Sequence, residues 1–249
     1  MRGLRFVALA AAFALAGCGG SSDSKPTITV SAASSLKKAF EACAATLPRE
    51  DVRFSFAGSD ELAAQIRQGA RPDLYAAANT KLPQQLASAG LLEPPVVFAG
   101  NRLVLAIPAG SHVASLDQLA RPGTNVVVGE PGVPVGSYTR AVLGRLPAAQ
   151  RQAILANVRS QEPDVLGVVG KLAHGAADAG FLYATDVVAA GAQLRAIELP
   201  ARLQPRVHYG IGIVKGTKHE AQAKAFVDSL TRGTCRQAMG KAGFEPPPG

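Results

Sequence analysis

Short apolar runs alternate with amphipathic stretches along most of this 249-residue chain. Runs rich in Val, Ile and Phe predict strands, whereas apolar residues spaced three or four apart predict helices. Strands are predicted at residues 27–31, 52–56, 73–76, 96–98, 102–107, 125–128, 179–183, 194–198 and 207–214. Helices are predicted at residues 35–47, 60–68, 81–89, 136–145, 164–174 and 220–232, with a last helix ending near residue 241. This alternation predicts an α/β fold whose mostly parallel sheets are covered by helices.

Small and hydroxyl-bearing residues recur where predicted strands pass into predicted helices. Ser-Ala-Ala-Ser-Ser at 31–35 follows the first strand, Phe-Ala-Gly-Ser-Asp at 56–60 follows the second, and Pro-Val-Gly-Ser at 134–137 opens a later helix. The N-terminus of a helix attracts anions, and ligands of open α/β sheets sit beyond the carboxyl ends of the strands. Ordinary capping by serine explains any one of these turns. Three such turns in one chain favour a shared anionic ligand.

The first 26 residues differ in character from the rest of the chain. Arg2 and Arg5 precede an uncharged apolar stretch at 6–15, and Leu-Ala-Gly-Cys at 15–18 is the pattern cut before the cysteine in bacterial lipoproteins. The apolar stretch is shorter than the roughly 20 residues that a membrane-spanning helix needs. We therefore expect a lipoprotein signal peptide at 1–17, lipid attachment at Cys18 and a flexible linker at 18–26. The alternative is an N-terminal apolar helix with a chance cysteine.

This export pattern places the mature protein outside the cytoplasm, in the periplasm or at the outer cell surface, anchored to a membrane by its lipid. The formal charge of the whole chain is +8, and the signal peptide holds Arg2 and Arg5 but no acidic residue, which leaves +6. The basic residues are scattered along the chain, which disfavours a nucleic-acid partner. The sequence has no Cys-x-x-Cys motif and no cluster of histidine and cysteine, so it suggests no metal site.

Several segments, in order along the chain, resemble the bacterial molybdate-binding proteins that feed ABC transporters. These segments are Ile-Thr-Val-Ser-Ala-Ala-Ser-Ser-Leu at 28–36, Phe-Ala-Gly-Ser at 56–59, Leu-Ala-Ala-Gln-Ile at 62–66, Pro-Asp-Leu-Tyr at 72–75, Gly-Glu-Pro at 129–131, Val-Pro-Val-Gly at 133–136, Asp-Val at 164–165 and Gly-Phe-Leu-Tyr at 180–183. The resemblance implies a two-lobed periplasmic-binding-protein fold with the ligand in the cleft. It implies a first lobe at 27–104, a second lobe at 105–203, and a return to the first lobe at 204–249.

The resemblance also implies a site that holds a tetrahedral oxyanion with neutral donors only. Ser35 and Ser59 would donate hydroxyl and backbone N–H bonds, Val135 and Val165 would donate backbone N–H bonds, and Tyr183 would donate its phenolic O–H. In such a site the protein binds the oxygen atoms of molybdate and makes no direct bond to the metal.

Two positions depart from the family pattern. Asp60 follows Ser59 where many relatives have a small neutral residue. A carboxylate aimed at the anion would repel it, but an acidic residue in a first helical turn is usually stabilised by the helix dipole and turned to solvent. Ser34 adds a hydroxyl beside Ser35 and is an additional candidate for capping or for binding.

Cys43 and Cys235 remain as an even pair of cysteines once Cys18 is assigned to the lipid. The resemblance implies a disulfide between them, because the last helices of the family return to pack on the first lobe. Two separate buried thiols are the alternative.

The leading hypothesis is a monomeric, lipid-tethered receptor that captures molybdate or tungstate for an ABC permease and its ATPase, without a cofactor and without enzymatic activity. One alternative is a receptor for another tetrahedral oxyanion such as sulfate, and a further one is a serine-based hydrolase. The chain lacks the Gly-x-Ser-x-Gly pattern of many hydrolases. It also lacks the nucleotide-binding loop of an ATPase, so a partner would have to power transport.

Overall fold

The computed structural model describes residues 27–47 and 51–248. The predicted signal peptide at 1–17, the lipid site Cys18 and the linker at 18–26 lie outside the described residues. Within the described ranges, no helix is long and apolar enough to cross a membrane.

Ten strands in the described residues form two separate sheets of five strands each. The first sheet contains β1 (Thr27–Ala33), β2 (Asp51–Ala57), β3 (Leu74–Ala77), β4 (Val96–Asn101) and β10 (Val207–Ile213). The second sheet contains β5 (Leu103–Pro108), β6 (Val126–Gly129), β7 (Val158–Glu162), β8 (Ala179–Tyr183) and β9 (Leu194–Glu198). The strand orders are β2-β1-β3-β10-β4 and β7-β6-β8-β5-β9.

Four of the five strands in each sheet run in the same direction. In the first sheet β1 pairs in parallel with β2 and β3, and only β10 runs antiparallel to its neighbours. In the second sheet β6 pairs in parallel with β7 and β8, and only β5 runs antiparallel to its neighbours. The predicted mostly parallel, two-lobed α/β fold is therefore confirmed. The first sheet with its helices is called lobe 1, and the second sheet with its helices lobe 2.

Helices pack against both sheets and bury one apolar face each. Those of lobe 1 are α1 (Lys37–Ala44), α2 (Ser59–Arg67), α3 (Lys81–Ser88), α8 (Glu220–Arg232) and α9 (Thr234–Lys241), and those of lobe 2 are α4 (Pro134–Gly144), α5 (Ala148–Ala156), α6 (Val165–Ala173) and α7 (Ala184–Ala190). A short 3₁₀ helix at Ser34–Leu36 precedes α1, and others lie at Leu116–Ala120, Gly191–Gln193 and Ala201–Leu203. Phe40 of α1 packs edge-on against Phe226 of α8, with ring centroids 5.6 Å apart.

Three elements of lobe 2 were not predicted from the pattern. The strand β7 reads Val-Arg-Ser-Gln-Glu at the edge of its sheet and alternates between partly buried and exposed positions, so no apolar run marks it. The helix α5 fully buries only Ile154, which gives too weak a periodicity to recognise. The helix α7 begins directly after β8 with no turn between them, so the pattern showed only the strand.

The chain passes between the lobes twice. It leaves the first sheet at Asn101 and enters the second at Leu103, and it leaves the second sheet at Glu198 and re-enters the first at Val207. Lobe 1 is thus built from both ends of the described chain, with lobe 2 inserted between them. The domain boundaries given above at 104/105 and 203/204 stay predictions.

A disulfide joins Cys43 of α1 to Cys235 of α9, two fully buried residues separated by 192 positions. The predicted bridge is confirmed, and the alternative of two separate thiols is excluded. Because α9 follows the return from lobe 2, the bridge ties the end of the chain to the first helix of lobe 1.

A buried carboxyl group holds the junction between β8 and α7. Asp186 Oδ2 accepts a hydrogen bond from the backbone N–H of Tyr183 at 3.1 Å, and Asp186 is 5% exposed. Burial raises the pKa of Asp186 to about 8; the bond from Tyr183 opposes this rise, and the negative charge of Asp164 adds to it. The group is therefore protonated and neutral near pH 7, which spares lobe 2 an unpaired buried charge.

Replacing both cysteines, Cys43→Ala with Cys235→Ala, is expected to lower the free energy of unfolding by up to about 5 kcal/mol. The physical reason is the loop-closure entropy that a long cross-link removes from the unfolded chain. Urea unfolding of the oxidised protein and of the double variant measures the difference. Thiol titration of denatured, unreduced protein beginning at Thr27 is the independent check, and two free thiols per chain would contradict the bridge.

Replacing Asp186 by Asn is expected to flatten the dependence of stability on pH. The pKa of Asp186 is about 8 in the folded chain and about 3.9 in the unfolded chain, so the folded state binds more protons between these values. Stability should then fall as pH rises from about 4 to about 8, by at most about 1.4 kcal/mol per pH unit. Urea unfolding at pH 5, 6.5 and 8 should show the advantage of Asp186→Asn growing with pH. Asp117→Asn, at an exposed carboxylate, is the matched control and should show no such trend.

Candidate functional site

Residues at six strand ends, three from each lobe, line one small cavity between the sheets. They lie at or just after the carboxyl ends of parallel strands: β1, β2 and β3 in lobe 1, and β6, β7 and β8 in lobe 2. The lining residues are Ala33, Ser34, Ser35, Ala57, Gly58, Ser59, Ala78, Val133, Pro134, Val135, Asp164, Val165 and Tyr183. The cavity has a volume of about 20 Å³. A cavity of this size admits only a small, compact ligand.

Helix N-termini from both lobes point at this cavity. The helix α2 begins at Ser59, α4 at Pro134 and α6 at Val165, while the 3₁₀ helix before α1 begins at Ser34. The first N–H groups of a helix have no partner within the helix, and the helix dipole makes that end positive. The wall of the cavity is therefore rich in backbone donors that favour negative charge.

The hydroxyl groups of both predicted serines have hydrogen-bond partners within lobe 1. The Ala78 N–H donates to Ser59 Oγ at 3.1 Å, so the Ser59 hydroxyl hydrogen is available for another acceptor. The Ser59 carbonyl accepts from Tyr75 Oη at 2.6 Å, which holds the first turn of α2 in place. Ser35 Oγ lies 3.0 Å from Tyr209 Oη, the phenol of a strand in the middle of the lobe 1 sheet.

Tyr183 supplies the clearest sign of a ligand. The residue is 1% exposed, and within the described part of the chain its Oη is a buried polar atom without a hydrogen-bond partner. Rings of Tyr138 and Tyr209 pack edge-on against it, at centroid distances of 6.3 and 5.7 Å. Burial raises the pKa of Tyr183 well above its usual value, so the group stays a neutral donor. An unpaired buried hydroxyl costs about 1–3 kcal/mol, which favours an acceptor in the cavity.

Neutral groups dominate the electrostatics of the cavity. None of the described residues that line it is Lys or Arg. Its one carboxylate, Asp164, caps α6 and accepts from the Gly167 N–H at 2.9 Å. In the described ranges no cluster of His, Cys, Asp or Glu could hold a metal ion. The arrangement suits an anion bound through its oxygen atoms.

Ser34 and Asp60, the two positions that depart from the family pattern, lie in different places relative to the cavity. Ser34 is buried and lines the cavity. Asp60 does not line it, and the expectation that its carboxylate turns to solvent is wrong for one of its oxygens. Oδ1 of Asp60 is buried and has no hydrogen-bond partner within the described ranges, and Oδ2 faces lobe 2, only 3.5 Å from where a Cβ on Gly132 would lie. The carboxylate thus sits at the contact between the lobes, because the lobes meet over the first turn of α2.

The lobes touch at Gly58, which was not among the predicted site residues. A Cβ built on Gly58 would lie 2.7 Å from the carbonyl oxygen of Pro163 in lobe 2 and 3.8 Å from Asp164 Cβ. Only glycine permits this backbone approach. The position could have been recognised from the lone glycine just before α2.

The residues predicted as ligands come together although up to 148 positions separate them in the chain. Ser35, Ser59, Val135, Val165 and Tyr183 all line the cavity. Their roles as ligands stay a prediction. Among the described residues, the serine hydroxyls have Tyr209 and the Ala78 backbone as partners, and no histidine lines the cavity.

Comparisons with known proteins show the family to which this chain is similar. Residues 28–245 match the model of the family described as bacterial extracellular solute-binding protein. The molybdate-binding protein ModA of Mycobacterium tuberculosis is 37% identical over 228 residues, covering 89% of this chain and 85% of that protein. The putative ABC transporter substrate-binding lipoprotein YvgL of Bacillus subtilis is 30% identical over 254 residues, covering 96% of each.

Among solved structures, the periplasmic molybdate-binding protein of Azotobacter vinelandii shares the fold, with a TM-score of 0.79 and 23% identity over 89% of this chain and all of that chain. The family match spans nearly all of the described residues. The chain belongs to the bacterial extracellular solute-binding proteins, which bind their solutes outside the cytoplasm and are not enzymes.

Proposed function

We propose that this protein captures molybdate, and also tungstate, for import by an ABC transporter. The observation that carries the proposal is the compact cavity in which uncharged donors from both lobes surround the Tyr183 hydroxyl, which has no hydrogen-bond partner among the described residues. Relatives that are 37% and 30% identical bear the names of a molybdate-binding protein and of an ABC transporter substrate-binding lipoprotein. These names support the choice of ligand and of transport system.

Uncharged donors suit a receptor that must also release its anion. A hydrogen bond to a charged group contributes about 1.5–3 kcal/mol, so several such bonds suffice for tight binding. Ser35 and Ser59 offer hydroxyl and backbone donors from lobe 1. Val135 and Val165 lie in the first turns of α4 and α6 and offer backbone donors from lobe 2. Their valine side chains remain in the apolar core, where both are buried.

Sulfate is the second candidate ligand, since it has the same shape and charge and differs mainly in size. The names of the relatives favour molybdate over sulfate. A serine-based hydrolase is disfavoured because the described partners of both serine hydroxyls lack a histidine.

The transport role requires an anchor and partners. The Leu-Ala-Gly-Cys sequence at 15–18 supports a mature chain that begins at Cys18 and carries a lipid there, tethered by the linker at 18–26. The relative from Bacillus subtilis is itself named a lipoprotein. The partners would be a membrane permease and a cytoplasmic ATPase, which recognise the monomeric, closed receptor.

Ser35→Ala and Ser59→Ala are each expected to weaken molybdate binding by about 1–3 kcal/mol, because the anion loses one donor. Isothermal titration with molybdate measures the loss, and the unchanged protein should bind one anion per chain. Ser88→Ala, at an exposed serine at the end of α3, is the matched control and should bind as the unchanged protein does. Unchanged affinity in both site variants would remove these serines from the site. Tighter binding of sulfate than of molybdate by the unchanged protein would reverse the choice of ligand.

Gly58→Ala is expected to weaken molybdate binding by about 1–3 kcal/mol by holding the lobes apart. The added methyl would clash with the Pro163 carbonyl only when the lobes are closed, and overpacking a tight contact costs about that much. Small-angle scattering should show a smaller decrease in radius of gyration on adding molybdate than in the unchanged protein. Gly170→Ala in α6, where a Cβ meets nothing within 4 Å, is the control. Full affinity in Gly58→Ala would mean that binding does not need this contact.

A further inference from the structure

A buried chain of hydrogen bonds leads from the crossing between the lobes to the candidate anion site. It runs from the side chain of Asn101, at the end of β4, to Tyr209 Oη at 3.4 Å and from there to Ser35 Oγ at 3.0 Å. Asn101 and Tyr209 are 4% and 0% exposed. Neither residue lines the cavity, and their hydrogen bonds reach it through Ser35.

The orientation of the Asn101 amide sets the direction of this chain. Asn101 Oδ1 accepts from the Arg102 N–H at 2.8 Å, so the amide nitrogen must face the other way. That nitrogen donates to Thr185 Oγ1 of lobe 2 at 2.9 Å and to Tyr209 Oη. Since an amide nitrogen can only donate, Tyr209 Oη accepts there, and its own hydrogen is directed at its remaining partner, Ser35 Oγ.

The direction has a consequence for the site. A serine hydroxyl that already accepts from Tyr209 has its own hydrogen free for another acceptor, and Ser35 lines the cavity. The second serine is arranged in the same way, because the Ala78 N–H donates to Ser59 Oγ. In lobe 1 the backbone N–H of Ala78 orients the Ser59 hydroxyl, whereas the phenol of Tyr209 orients the Ser35 hydroxyl.

We propose that Tyr209, held by Asn101, is a positioning residue that orients the Ser35 hydroxyl as a donor to the bound oxyanion. The proposal rests on the function proposed above and adds two residues to it that touch no ligand. Successive hydrogen bonds polarise one another, so the donor at the end of the chain is stronger than an isolated serine. Asn101 bridges β4 to Thr185 in α7, so the chain is anchored where the lobes join.

The test is a double-mutant cycle that combines Tyr209→Phe with Ser35→Ala, measured by isothermal titration with sodium molybdate. Tyr209→Phe alone should weaken binding about 3- to 10-fold, the loss of one hydrogen bond. In the Ser35→Ala background the same change should cost less than about 2-fold, because the hydrogen-bonded route from Tyr209 to the anion is gone while phenylalanine keeps the ring packing. Equal losses in both backgrounds would overturn the proposal, and so would no loss in either.

Two further variants separate positioning from general damage. Tyr138→Phe removes a hydroxyl from the same aromatic cluster, where it bonds the His208 backbone, and should leave affinity unchanged. Asn101→Ala leaves Tyr209 in place but unanchored, and its loss of affinity should likewise shrink in the Ser35→Ala background. Thermal unfolding of each variant checks the fold. If the unchanged protein fails to bind molybdate, the proposed function fails; if it binds and the cycle shows no coupling, only this inference fails.

Discussion

A small anion can be held without an opposing charge only if many backbone N–H groups and hydroxyls converge on one point. The fold meets this constraint by aiming the carboxyl ends of parallel strands from two sheets at a shared cleft. Each strand end leads into a loop or helix start, so every loop delivers donors that its own hydrogen-bonding pattern leaves over. The side chains need only be small enough to let these donors approach, which explains the alanines, serines and glycine on the cavity wall.

The two lobes repeat one plan. The orders β2-β1-β3-β10-β4 and β7-β6-β8-β5-β9 correspond strand for strand, with the single reversed strand in the fourth place of each sheet. The loops after β1 and β2 in lobe 1 therefore correspond to the loops after β6 and β7 in lobe 2. Lobe 1 places Ser35 and Ser59 in these loops, and lobe 2 places Val135 and Val165. The shared element is the backbone at the start of a helix, and the serine hydroxyls in these loops are an addition of lobe 1.

Local features of the sequence were enough to predict most of the fold and the strand-to-helix turns at the cleft, whereas the predicted set of ligand residues came from the resemblance to a known family. Strand-to-helix turns with small residues depend on neighbours in sequence, so Ser35 and Ser59 could be recognised. Contacts between segments that are distant in sequence could not be recognised in this way. Tyr209 lies 174 positions from Ser35 and has the ordinary appearance of a strand residue. The distance between the two lobes determines both the burial of one oxygen of Asp60 and the tight contact at Gly58. That distance cannot be predicted from a local sequence pattern.

The disulfide between α1 and α9 also changes the covalent topology of the chain. Cys43 and Cys235 lie 192 positions apart, and their bond closes the chain between them into a ring. That ring contains all of lobe 2 and both passages between the lobes. A protease that cuts one peptide bond inside the ring opens it but separates nothing. Two cuts inside the ring are needed before a fragment can leave, and one cut on each side of lobe 2 would release that lobe. For a protein that works outside the cytoplasm, a single nick in an exposed loop therefore leaves both halves of the cleft covalently joined.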